Sequence, residues 1–238
     1  MQGILEYLMT LANSNFEDWR REYPELPLAD FQFSLDKVGV AGSLFDATKL
    51  QWVNNGYLSR ISTEELFQQT LEWATTYAPA FASLLQSDEA YAKAAMHIER
   101  HTEKDPKRFT LYSDVQQQML FFFDNEWEKG AEIRKALLAE NEHFGALQDF
   151  VRTYSEVVNL ETDEVLVWFD QLKQLGKQYG YAATNAEFKE GGYIGKVGDL
   201  AMFLRIQLCN AKQTPDLFSV MKVMGKKRVV ERLRAFSS

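Results

Sequence analysis

Three acidic or nucleophilic groupings in this chain have residue types that do chemistry, and each has a plainer reading. His97 and His101 lie four residues apart, the spacing that sets two imidazoles on one helix face as a zinc pair. The acid that should follow the first histidine is Ile98, and no third ligand is evident, so two surface histidines are the better reading. Asp124, Glu126 and Glu128 cluster as a metal or acid/base set would, but Trp127 and Phe121, Phe122 and Phe123 surround them and no partner base is visible. A solvated helix start fits them better. Cys209 is the single cysteine and lies beside Leu208 on an apolar stretch, where a small buried hydrophobe is a better reading than a nucleophile.

The cationic residues are more informative. Residues 203–238 hold eight basic side chains (Arg205, Lys212, Lys222, Lys226, Lys227, Arg228, Arg232, Arg234) and two acidic ones, Asp216 and Glu231, in a chain of net charge −8. Residues 1–202 therefore carry −14. Such asymmetry points to an anionic partner for one end, although charge alone favours a solvated helix face. A second basic spot is KDPKRFT, residues 104–110. Pro106 should break the preceding helix there and let Lys107 and Arg108 project from a loop.

The elements that position these residues read as all-α. Helices are expected at about 3–13, 15–22, 44–56, 63–78, 80–86, 88–102, 113–122, 131–157, 162–179, 197–211, 215–224 and 226–236. Capping pairs recur as Ser14 with Glu17, Ser43 with Asp46, Ser62 with Glu65, and Ser113 with Gln116. Thr214 is the expected cap of the helix that begins with Pro215 and Asp216, and Gly225 its stop. Leu217, Val220, Met221 and Met224 form one buried stripe; Val165, Trp168, Phe169, Leu172 and Leu175 form another. Gly180 should end the second of these helices, with a loop to Gly195 turning at Gly191 and Gly192.

Composition limits the class. Hydrophobic content of 46% suffices for a core, and one cysteine precludes an internal disulfide and suits a reducing cytoplasm. No apolar run approaches eighteen residues, so no membrane span is expected. No internal repeat supports a solenoid.

Two blocks resemble the C-terminal, anticodon-binding region of bacterial-type glutamyl-tRNA synthetases. FDATKLQWVNNGYL is in register with that family's signature at Phe45, Asp46, Lys49, Leu50, Trp52, Asn54 and Tyr57. The closing LAMFLRIQLCNAKQTPDLFSVMKVMGKKRVVERL matches at Leu204, Arg205, Pro215, Leu217, Phe218, Gly225, Lys226, Val229, Arg232 and Leu233. The opening GILEYLMTLA resembles a further family helix, with Ala12 where that helix has glycine.

The resemblance implies two helical anticodon-binding subdomains of the α-helix-cage type. They are expected at 61–159 and 160–238, after the end of a stem-contact region at 1–60. It implies that Lys107 and Arg108 meet anticodon bases and that Lys226, Lys227, Arg228 and Arg232 meet phosphates, with Phe109 and Tyr112 as stacking candidates. Asp46 and Lys49 are expected to be structural, Trp52 and Tyr57 core, and Asn54 and Asn55 to lead into a helix end at Gly56.

The ATP-binding H-x-G-H and K-M-S-K-S motifs of the family are missing, so the chain reads as part of a longer enzyme, inactive alone. The parent would join glutamate to tRNA with ATP and Mg²⁺. The expected partners are glutamate tRNA, alone or together with glutamine isoacceptors, and the missing catalytic half. The chain itself is expected to be a cytoplasmic monomer. The alternative is a freestanding helical module that binds RNA or protein.

Overall fold

A computed structural model describes residues 2–39, 42, 44–102, 105–162 and 164–236. The expected cap Ser43 and Lys104 of the basic loop lie outside the described residues. The chain divides into two compact units, 1–117 and 118–238. The sequence placed its boundaries elsewhere, after 60 and after 159. The helix before residue 159, Gln148–Val157, packs against the helix Leu217–Arg234 within the second unit.

Unit 1 holds α1 (Gln2–Ala12), α2 (Phe16–Glu22), α3 (Ala47–Arg60), α4 (Thr63–Tyr77), α5 (Pro79–Ser87), α6 (Glu89–His97) and most of α7 (Tyr112–Met119). α1 lies against α3, and α4 against α5 and α6. The core is Tyr7, Leu58, Leu66, Phe67, Leu85 and Met96, each almost wholly enclosed. Local chemistry sets the helix starts. Asp46 caps α3 by accepting from the Thr48 and Lys49 amides, and Ser62 with Glu65 forms the expected reciprocal cap of α4. Ser14 and Ser113 do not cap. α2 starts at Phe16 without a side-chain cap, and Asp114 takes the Thr110 and Leu111 amides before α7.

Beneath α1 and α3, Glu6 is only 3% exposed and binds two guanidiniums. Arg60 donates to both of its oxygens at 2.8 and 2.7 Å, and Arg20 lies 3.1 Å away. The same Arg20 donates to the carbonyls of Tyr23, Pro24 and Leu26. Lys49 pairs with Glu17 rather than with Asp46.

Unit 2 holds α8 (Asp124–Lys129), α9 (Ala131–Ala139), α10 (Gln148–Val157), α11 (Val165–Gln178), α12 (Asn185–Glu190), α13 (Val197–Cys209) and α14 (Leu217–Arg234). α13 is its centre and packs on α14, α9 and α11, burying Leu200, Phe203, Leu204, Ile206 and Leu208. The single helix expected over 131–157 is interrupted between α9 and α10. There the Asn141 side chain accepts from the His143 amide and a 3₁₀ turn at Phe144–Ala146 follows, a local side-chain bond that competes with the helix ladder. The expected loop before Gly195 contains α12 and a two-residue parallel pairing of β1 (Tyr181–Ala182) with β2 (Gly195–Lys196).

The two expected C-terminal helices are both present, as the two halves of α14 on either side of the expected stop at Gly225. Gly225 has φ 78° and ψ 152°, a positive-φ conformation that other residues rarely adopt, and breaks α14 between its halves. Asp216, not Thr214, caps it by accepting from the Ser219 amide. Thr214 instead meets Arg205. The expected stripe of Leu217, Val220, Met221 and Met224 is buried, as is Cys209. Burial pushes the Cys209 thiol up to about 12, so it is neutral and inert at physiological pH.

Candidate nucleic-acid interface

The basic loop of unit 1 is a built structure rather than a free tether. α6 ends at His97 instead of near residue 102, because Glu99 takes a positive φ of 60°. Asp105 then accepts from the amides of His101 and Lys107. Lys107 itself is held left-handed at φ 49°. From α3, Asn54 donates to the Thr110 carbonyl, and Asn55 donates to the carbonyls of Lys107 at 2.7 Å and Phe109 at 3.0 Å. Gly3 leaves room for Asn54, since a Cβ there would fall 2.0 Å from its Oδ1. Asn54 and Asn55 were expected to lead into a helix end at Gly56, but α3 runs on to Arg60 and both asparagines grip the loop. Two consecutive asparagines inside a helix, where they are poor formers, were the signal for such a role.

This scaffold orients the two expected base readers oppositely. Lys107 is exposed. Arg108 turns inward over the Phe109 ring, 4.7 Å from its centroid, and donates to the carbonyls of Ile98 at 2.7 Å and Ala95 at 3.4 Å. It thereby closes the C-terminal end of α6, whose last carbonyls have no partner within the helix. Burial lowers its guanidinium to about 10, still charged at neutral pH. Phe109 is enclosed in the core, and Tyr112 is half-buried with its hydroxyl donating to Gln69.

Asn55 should therefore be the hinge pin of the loop. Changing it to alanine leaves the Lys107 and Phe109 carbonyls without their donor, a loss of about 1–2 kcal/mol. Hydrogen exchange of the 107–111 amides should accelerate in that variant while unit 2 stays unchanged.

The C-terminal basic residues also divide. Lys226 and Lys227 project into solvent just after the Gly225 kink. Lys222 and Lys226 flank a groove of about 380 Å³ shared with Val157, Asn159 and Leu160. Arg228 is tied to Asp124 at 3.0 Å. Arg232, one of the expected phosphate contacts, is 2% exposed and faces the interior. It donates to the carbonyls of Phe121 at 2.6 Å, Leu208 at 2.8 Å and Phe122 at 3.3 Å, and to Asp124 at 2.7 Å, with Trp127 beneath it. The stretch Lys226–Arg228 thus presents two lysines outward, while the arginines bind within the unit.

Several side chains singled out from the sequence take other roles. Trp52 is 66% exposed and Phe45 is also exposed, whereas Tyr57 is buried as expected. Asp124, expected in a solvated helix start, is the carboxylate of the Arg228 and Arg232 pair. His97 shares a hydrogen bond with Thr63, and among the described residues no three His, Cys, Asp or Glu side chains are grouped to hold a metal. No helix among the described residues is long and apolar enough to cross a membrane.

Comparison with known proteins adds four findings. A family model described as an anticodon binding domain matches residues 65–237. A glutamate–tRNA ligase of Sorangium cellulosum is 34% identical over 236 residues, 98% of this chain and 41% of the relative. One of Clostridium perfringens is 31% identical over 99% of this chain and 43% of its own length. The chain thus spans about two fifths of the length of the curated relatives it matches. Among solved structures, a glutamate tRNA ligase from Elizabethkingia meningosepticum superposes with a TM-score of 0.54 at 20% identity, covering 86% of this chain and 35% of that one. This last likeness bears on the fold.

Proposed function

This chain belongs to the anticodon binding domain family, and from that premise we propose that it grips the anticodon arm of tRNA on behalf of a glutamate–tRNA ligase. The family match across residues 65–237 carries this reading, and the geometry narrows how it works. Lys226 and Lys227 meet phosphates, which position the RNA, and the clamped loop carrying Lys107 meets the bases or sugars beside it. Arg108 acts by holding that loop in shape, and Arg232 by holding unit 2 together. Arg228 contributes through its pair with Asp124, which leaves it a weaker phosphate ligand than its neighbours. The tRNA taken is the glutamate isoacceptor, alone or together with glutamine isoacceptors.

Activation of glutamate with ATP and Mg²⁺, in the cytoplasm, is the role of the parent enzyme's remaining length. That remaining length has a docking place in unit 1. Ile4, Leu5 and Leu8 on α1, and Leu44, Phe45 and Trp52 at and on α3, are all exposed ahead of the matched region, and we read this accumulation of large apolar side chains as that docking place.

Binding tests the reading directly. With about three phosphates engaged, log K for glutamate tRNA should fall with log salt at a slope of roughly −2 to −3. Lys226→Ala and Lys227→Ala should each flatten that slope by about 1 and weaken binding to all tRNAs alike. No retention of tRNA in a gel shift at low salt would overturn the proposal.

A further inference from the structure

Unit 1 contains a concavity outside the basic loop that has the chemistry of a cation receptor. Its volume is about 450 Å³, and it is lined by Gln2, Tyr57, Gln69, Glu72, Trp73, Thr76, Tyr77 and Tyr112. Trp73 is the middle of an aromatic trio. Its ring centroid lies 6.1 Å from that of Tyr77 and 6.3 Å from that of Tyr112, at interplanar angles of 33° and 38°. The Trp73–Tyr77 pair arises from their i, i+4 spacing on α4, which stacks side chains along one helix face. Tyr77 is 74% exposed, an unusual cost for a ring with no cover.

The floor of the site is fixed. The Gln69 side chain accepts from the Tyr112 hydroxyl at 2.8 Å and donates to the Tyr57 hydroxyl at 2.8 Å. This polar bridge locks both phenols in place. Burial pushes the Tyr112 hydroxyl up to about 12 and raises that of Tyr57, so both rings are neutral at physiological pH. Glu72 supplies the one formal charge of the lining and has no ion-pair or hydrogen-bond partner among the described residues.

The electrostatics choose the ligand. Neutral aromatic rings present negative faces, and a carboxylate beside them adds a full negative charge. No lysine or arginine lines the site, so nothing there would neutralise a phosphate. Residues 1–117 carry seventeen acidic and ten basic side chains, so the surrounding field has the same sign. We propose that this concavity binds an organic cation, an alkylammonium or guanidinium group, held over the rings of Trp73, Tyr77 and Tyr112 and paired with Glu72. Such a group reaches the site either as a free polyamine or as the lysine or arginine side chain of another polypeptide.

Titration of the full chain by nuclear magnetic resonance tests this, reading the Trp73 indole and the Gln69 amide signals. Spermidine represents the free source, and the amides of N-acetylarginine and N-acetyllysine represent the side chain. Saturable shifts of both signals with either kind of cation are expected. Glu72→Gln should weaken them about five-fold, and Trp73→Ala should remove the Gln69 response. Glu72 is exposed and outside the core, so the Gln variant keeps the fold and keeps the test decisive if Trp73→Ala does not. A stronger response to spermidine supports the free ligand, and a stronger one to the amino-acid amides supports a partner's side chain. Shifts with uridine or adenosine monophosphate but none with the cations, or cation binding indifferent to Glu72→Gln, would overturn the proposal.

Discussion

Replacing Arg232 with alanine should destabilise unit 2 by about 3–5 kcal/mol, a large fraction of the roughly 5–15 kcal/mol that keeps an ordinary domain folded. The guanidinium serves the Phe121, Phe122 and Leu208 carbonyls at once, and it covers Trp127. Truncation strands all three acceptors in a water-poor site, and each stranded group costs about 1–3 kcal/mol before relaxation. Lysine should rescue little, because one ammonium cannot reproduce a planar fork that reaches carbonyls on both sides. Urea unfolding monitored by far-ultraviolet circular dichroism gives the measurement. A loss under 1 kcal/mol would show that water enters and serves the carbonyls instead.

The same cluster sets an acid sensitivity. Burial alone would raise the Asp124 carboxyl, but the hydrogen bonds and charges of Arg232 and Arg228 outweigh it and hold the group below its ordinary value. A carboxyl lowered in the folded state contributes stability above its unfolded pKa, about 3.9, and loses it as pH falls through the folded value. Asp124→Asn should therefore flatten the decline in stability below about pH 4.

Glu6→Ala should produce an effect of similar size, about 3–5 kcal/mol, in unit 1. Glu6 is the shared counter-ion of Arg20 and Arg60, and both guanidiniums lie close to it in a mostly enclosed site. Without the carboxylate, two like charges face each other with little water to screen them. Glu6→Gln should be milder for packing, yet it still leaves both cations uncompensated. The double variant Glu6→Ala, Arg60→Ala should recover part of the loss, since it removes one of the stranded charges. Thermal unfolding of the wild type, Glu6→Ala, Arg60→Ala and the double variant, compared as a double-mutant cycle, separates the pair's coupling from simple loss of packing.

What the sequence revealed was whatever depends on near neighbours. The Ser62–Glu65 cap, the stripe from Leu217 to Met224 and the stop at Gly180 are each written within a few residues, and each is present. The direction of a cation is not local. Arg108 and Arg232 lie in basic runs identical in composition to a solvated face, and only the tertiary path of α6 and α13 brings open helix-end carbonyls to them. Trp52 illustrates the reverse error. Its size suggests core, but it is exposed, as are Leu44 and Phe45 nearby in the chain. The long helix expected at 131–157 failed for a third reason, because good helix formers surround Asn141, whose own side chain offers the backbone a competing bond.

Lys107 is the position where these lines meet. Its left-handed φ of 49° is a conformation in which glycine would be at ease and a long side chain is strained, at a cost of order 1 kcal/mol. A search for more stable variants would therefore choose Lys107→Gly early, and the folded protein would gain by it. The proposed RNA contact would disappear in the same step. Stability selection and binding selection pull this one residue in opposite directions, so a chain optimised for heat resistance alone should drift toward glycine there. A chain that keeps tRNA in hand should hold on to its strained lysine.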